Sequence, residues 1–188
     1  NLSIEMEVFK IKAKEIVLTA LFTSLTAVGA FISIPIGPVP ITLQSLFVIL
    51  SGILLGPKLG PLSQIMYIII GLIGVPIFSG YTGGLQAIYK PSFGFLIGFI
   101  LASYISGLIV KSPKIVPEKS IWLASFIATI IIYLVGLPYM YYILNVVMGS
   151  ELSLGYIIKF GCLLFLPGDI LKLILASITG KKLLPLTN

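Results

Sequence analysis

The sequence predicts an all-α, polytopic membrane protein with six transmembrane helices and both termini cytoplasmic. Three observations predict it. The 188 residues are 58% hydrophobic and only 10% charged, where a soluble domain carries about 25% charged residues. Apolar runs of about twenty residues recur, the length that crosses a bilayer as a helix. A β-barrel would alternate apolar and polar residues with period two, and these runs do not. The length leaves room for a single membrane domain over residues 16–188, behind a short cytoplasmic interfacial segment at 1–15.

That segment mixes Lys10, Lys12 and Lys14 with Glu5, Glu7 and Glu15. Its charges, and the length of the apolar run after it, do not read as a signal peptide. Span one is expected over 16–34. Its small residues form neighbouring rows, Ala20 with Ser24 and Thr23 with Ala27. Small residues four apart let helices approach closely, inside this bundle or against a partner helix. The stretch 33–40 (SIPIGPVP) reads as an uncharged proline-rich hinge, with Pro40 suited to the first position of the next helix.

Span two is expected over 41–55, opening with Thr42 and Gln44. Gly56-Pro57-Lys58 reads as a tight turn, and span three follows over 59–77 with Ser63 and Gln64. The stretch 78–90 (FSGYTGGLQAIYK) is the longest non-helical segment between spans. Its glycines permit close backbone approach, and loops of this kind often carry binding residues. Tyr81, Thr82, Gly83, Gly84, Gln86 and Lys90 are therefore candidates.

Span four is expected over 93–110. Span five, over 121–147, is expected to kink at Pro138. Tyr133, Tyr139, Tyr141 and Tyr142 crowd its second half, as an aromatic belt would; one or two of them could instead line a cavity. The apolar piece 156–166 is too short to span and reads as a surface or re-entrant segment. Pro167 then opens span six, over 167–184. The competing possibility is one long helix from 157 to 180, kinked at Pro167.

With the N-terminus inside, the cytoplasmic side receives Lys10, Lys12, Lys14, Lys58, Lys111, Lys114, Lys119, Lys181 and Lys182. The outer side receives only Lys90 and Lys159. That asymmetry follows the positive-inside rule. It also explains the net charge of +6 without nucleic acid. The hinge, the glycine-rich loop and the 148–166 connection then share the outer side, where a pocket open to the exterior would form.

Asp169 and Lys172 stand out inside span six. Asp169 is the sole aspartate, and three residues of helix place both groups on one face. A charge in a membrane segment costs about 2.5–3.5 kcal/mol or more, so it faces a partner or a polar cavity. Catalysis is not expected. The chain has no histidine and a single cysteine, Cys162, which removes the usual triads and metal clusters. No Walker A pattern is present, so the chain does not power itself with ATP. What remains is solute capture, either passive or powered by another protein. A passive facilitator would need a polar stripe on several spans, and only Gln44, Ser63, Gln64 and Asn145 are available. A ligand-free membrane scaffold is the third possibility.

Four stretches carry a resemblance across positions 20–184: ALFTSLTAVGAFISIPIGPVPITLQ (20–44), GVPIFSG (74–80), PSFGFLIGF (91–99) and FLPGDILK (165–172). They resemble the biotin-specific S components of energy-coupling-factor vitamin transporters, the BioY family. The resemblance implies a six-helix subunit of a prokaryotic plasma membrane that captures biotin outside. It further implies a transmembrane coupling protein and two cytoplasmic ATPases as partners. It matches Asp169 and Lys172 to the family's PGD-x-x-K motif, Thr42 and Gln44 to its P-x-T-L-Q segment, and Ala20 and Ser24 to its docking row. The chain departs from the pattern at Lys90 and Phe93, where the family often has glycine. Tyr81 and Thr82 also replace small residues. Biotin is expected as transported ligand, with no cofactor; lipoate or a similar small acid is the alternative.

Overall fold

The structure is a computed structural model and describes residues 13–110 and 117–187, with side chains as far as Pro185. Most of the expected interfacial segment, and the lysines at 10, 12, 111 and 114, lie outside the described residues. The described chain is almost wholly helical. Helix α1 spans Ala13–Phe31, α2 Gln44–Leu72, α3 Phe93–Val110 and α4 Glu118–Tyr141. A short α5, Leu154–Ile158, leads into α6, Leu166–Thr187. Among the described residues, five helical stretches are long and apolar enough to cross a membrane.

Helix α2 is one of the five, but it is not straight. Gly56 has φ 76° and ψ −175°, a conformation open essentially to glycine alone. The chain reverses there. Gln44 Nε2 reaches the Tyr67 hydroxyl at 2.9 Å, and Gln64 Nε2 reaches Ser51 Oγ at 3.2 Å. The two arms, 44–55 and 57–72, therefore lie side by side and antiparallel, with the turn at the expected Gly56-Pro57-Lys58.

This hairpin is the centre of the bundle. On one side α1 hydrogen-bonds to it through Thr23 to the Ser63 carbonyl (3.0 Å) and Thr26 to Gln64 Oε1 (3.3 Å). On the other, Ser51 Oγ meets Ser103 Oγ of α3 at 2.8 Å. A side chain on Gly52 would collide with Ser106 Oγ and the Ser103 carbonyl, so glycine there lets α3 lie against the first arm. Without water to satisfy them, hydroxyls and amides inside a membrane bundle must bond one another. The central polar side chains do so: Ser51, Ser63, Gln64, Ser103 and Ser106 are all buried, and each has a partner. Val48, Ile49, Tyr67, Ala102 and Met140 belong to the buried hydrophobic core of the bundle.

Helix α6 closes the bundle against α2 and α4. Ser177 Oγ lies 3.4 Å from Ser125 Oγ, and Lys181 pairs with Glu118 at 2.6 Å near the helix ends.

Several boundaries differ from those expected. Helix α1 ends at Phe31 because residues 33–42 form a two-residue antiparallel ribbon, with Ser33 opposite Thr42 and Ile34 opposite Ile41. Pro40 precedes the ribbon's second strand instead of opening a helix. Helix α2 ends at Leu72, ahead of the left-handed Gly74 (φ 115°). The piece before Pro167 is helical and joined to α6. It starts at a Ser153 cap, whose side chain accepts from the Tyr156 amide, and widens to π geometry over Lys159–Leu163. A turn at 164–165 follows. Proline cannot donate to the carbonyl one turn back, so the loosening falls just ahead of Pro167. A second π segment, Tyr142–Val147, extends α4 past Pro138.

Candidate functional site

The first turn of α6 is pinned by the Asp169 amide, which donates to the Phe165 carbonyl at 2.8 Å. Asp169 lies in the first turn of this helix. One turn on, Lys172 Nζ stands 2.6 Å from Asp169 Oδ1, with side-chain exposures of 7% and 11%. An ion pair this dry gains little net stability, because desolvating both charges offsets their attraction. Its value lies in positioning two strong hydrogen-bonding groups.

Lys172 reaches across to the start of α2, donating to the Thr42 carbonyl (3.1 Å) and Ser45 Oγ (2.9 Å). An ammonium has three protons, and here three acceptors meet it. Asp169 Oδ2 accepts from the Tyr133 hydroxyl of α4. One carboxylate thus ties α6 to α4, while its lysine ties α6 to α2.

A second chain of bonds begins at Thr42. Its hydroxyl donates to Gln44 Oε1 (3.1 Å), Gln44 Nε2 donates to the Tyr67 hydroxyl, and that hydroxyl donates to the Ile77 carbonyl (3.0 Å). Gln44 is buried, and both ends of its amide are satisfied. The loop after α2 adds a third cluster. Phe78 and Thr82 form a one-residue bridge. Thr82 Oγ1 donates to the Ser79 carbonyl (3.2 Å) and accepts from Lys90 Nζ (2.9 Å).

These three clusters line one cleft holding about 760 Å³ of empty space, open mouth included. Phe78, Phe93, Phe95, Phe99, Ile132 and Phe165 supply the apolar wall. The cleft's charged side chains are Asp169, Lys172 and Lys90, so its net charge is +1. An apolar cavity with a few convergent polar groups fits a small amphipathic molecule.

Of the residues singled out from sequence, Asp169, Lys172, Thr42, Gln44, Thr82 and Lys90 share this cleft. Tyr81, Gly83, Gly84 and Gln86 do not line it. Tyr81 has φ 55° and is 69% exposed, stacked on Phe31 of α1 with ring centroids 4.8 Å apart. Gly83 packs under the Val75 carbonyl, Gly84 adopts φ 92°, and Gln86 bonds back to Gly83. They shape the loop instead. Phe93, one of the departures from the family pattern, is part of the wall. Ala20 and Ser24 are exposed on α1, and Ala27 is half-buried.

Tyr133, Ser45 and Thr129 line the cleft without having been singled out as site residues. Tyr133 was one of four tyrosines of which one or two could line a cavity, and on a helix it continues the polar row Ser125–Thr129 at four-residue steps. Ser45 had none beyond its neighbour Gln44.

The sequence model described as the BioY family matches residues 5–188. A probable biotin transporter BioY of Pyrococcus horikoshii is 49% identical over 125 residues, 66% of this chain and 73% of that protein. Its counterpart in Lysinibacillus sphaericus is 40% identical over 168 residues, covering 89% and 85%. The crystal structure of the S-component for biotin from an ECF-type ABC transporter superposes with a TM-score of 0.69 at 29% identity, covering 90% of each chain. With a match that runs through nearly the whole sequence, the chain belongs to the BioY family.

Proposed function

We propose that this chain is the substrate-binding membrane subunit of an ECF-type transporter, and that it captures biotin from the exterior. The observation that carries this is the Asp169–Lys172 pair, held dry on the wall of an aromatic cleft and braced by Tyr133. Biotin's ureido ring offers two N–H donors and one carbonyl acceptor on an apolar body. Asp169 accepts a ureido N–H, and one charge-assisted bond of this kind contributes about 1.5–3 kcal/mol. The phenylalanine wall covers the thioether ring and chain. The named functions of the relatives, biotin transport and biotin S-component, agree with this ligand.

The two arms of α2 count as two crossings in this reading, giving six with both termini inside. The lysine asymmetry supports that orientation. The cleft then opens outward, beneath the 73–92 loop. Energy comes from a transmembrane coupling protein and two ATPases, with the exposed Ala20–Ser24 row of α1 as the docking face. Mass spectrometry of small molecules released from the purified protein tests the ligand. Recovery of biotin, and its loss in Asp169→Asn protein that still folds, is the expected result. Unchanged affinity of Asp169→Asn in a biotin titration overturns the site.

A further inference from the structure

We infer that Lys90 is the specificity-determining anchor for the ligand's carboxylate, making the site selective for the free acid over its neutral amide. The inference rests on the biotin reading above and sharpens it. It begins with Lys172, the cation that the sequence motif puts forward. Each of its three protons already has an acceptor: Asp169 Oδ1, the Thr42 carbonyl and Ser45 Oγ. To grip a carboxylate it would have to abandon one of these in a site where it is only 5% exposed. Leaving a buried polar group unpaired carries a cost that offsets what the new charge-assisted bond returns. The adjacent Asp169 also repels a second anion.

Lys90 is placed differently. It comes from the loop wall, at the end of the 3-10 turn Leu85–Tyr89. Among the described residues one acceptor meets its Nζ, the Thr82 hydroxyl at 2.9 Å, and no carboxylate pairs with it. Thr82 spends its own proton on the Ser79 carbonyl, so its oxygen turns a lone pair to Lys90. The ammonium is thereby oriented into the cleft with two protons to spare. Charge balance points the same way. The Asp169–Lys172 pair is neutral, so the cleft's excess positive charge is that of Lys90. A monoanion with an uncharged polar head neutralises the site when its head lies at Asp169 and its carboxylate at Lys90.

Biotin and biotinamide share the ring system and chain and differ only in the terminal charge, so titrating both against the same proteins isolates the anchor. The wild-type chain should bind biotin at least about 10-fold tighter than biotinamide, the scale of a charge-assisted bond. Lys90→Gln should bring that ratio close to one, and Lys90→Arg should restore most of it. A Lys90→Gln protein that keeps the wild-type ratio, whatever its absolute affinities, overturns the anchor and leaves the biotin reading standing. A wild-type chain that binds neither compound overturns the biotin reading, and the anchor with it.

Discussion

Gln44 Nε2 donates to the hydroxyl of Tyr67 at 2.9 Å, although 23 residues separate them in sequence. On a straight helix that interval is about 34 Å. The bond therefore records the fold's central event, the reversal of α2 at Gly56. It also links that reversal to the cleft, because Gln44 is on the cleft wall and Tyr67 passes its own proton to Ile77. Ile77 sits immediately before Phe78, which lines the cleft.

Tyr67→Phe should consequently do more than remove one bond. It takes the acceptor from a buried Gln44 amide and the donor from the Ile77 carbonyl. Each orphaned group costs about 1–3 kcal/mol. The expected outcome is a lower unfolding midpoint in detergent together with weaker biotin binding, since Gln44 and Phe78 both lose their brace. Thermal unfolding and ligand titration on the same preparation check this. An unchanged midpoint would show that the relay holds nothing in place.

Gly56→Ala isolates the turn itself. No atom stands within 4 Å of where the new methyl would sit, so the cost is conformational alone. It should be about 1–3 kcal/mol, because φ 76° with ψ −175° is closed to alanine. Gly52→Ala tests the other demand on glycine. Its backbone is helical, but its methyl meets the Ser103 carbonyl and Ser106 Oγ, so the arm and α3 must separate. It should lower the unfolding midpoint even though alanine is the better helix former. A rise in the midpoint for either variant would count against the hairpin.

How much of this was legible beforehand follows from which interactions leave a mark in sequence. Hydropathy and length mark the spans, and Gly-Pro-Lys marks the reversal at 56–58. A charge in an apolar run marks Asp169 and Lys172. The π segments at Tyr142–Val147 and Lys159–Leu163 leave no mark, since a shift in hydrogen-bond register has no composition of its own. The loop misled for a related reason. Tyr81, Gly84 and Gln86 carry binding-type chemistry, but Tyr81 stacks on Phe31, Gly84 takes a positive φ and Gln86 bonds back to Gly83, and none of these contacts is marked in the sequence. Tyr133 sits among tyrosines that read as an interfacial belt, and only the packing of α4 against α6 brings its hydroxyl to Asp169.

The buried pair separates structural from binding roles when its members are changed singly and together. Lys172→Met leaves the Asp169 carboxylate with the Tyr133 hydroxyl and no counter-charge. Breaking a buried pair in this way costs about 3–5 kcal/mol. Asp169→Asn is milder, because Lys172 keeps Thr42 and Ser45. The double variant Asp169→Asn/Lys172→Met removes both charges of the pair and leaves the cleft's net charge, that of Lys90, unchanged. It should recover most of the stability lost by Lys172→Met while still failing to bind biotin. Unfolding midpoints across the cycle, with biotin titrations alongside, give the answer; restored binding in the double variant would remove the pair from the ligand's grip.

The last prediction concerns α1. Ala20 and Ser24 are exposed on it, and the Ser24 hydroxyl is satisfied within its own helix by the Ala20 carbonyl at 3.0 Å. Replacing either by leucine leaves no orphaned polar group inside the bundle and does not touch the cleft. If this row is where a coupling protein's helix lies close, bulk there removes the close approach on which small-residue packing depends. Ala20→Leu and Ser24→Leu should then retain biotin binding in the isolated subunit and lose ATP-driven uptake when the coupling protein and ATPases are present. Uptake by membrane vesicles, measured beside titration of the purified chain, separates the two steps. Full uptake by the double variant Ala20→Leu/Ser24→Leu would move the docking face elsewhere on the bundle.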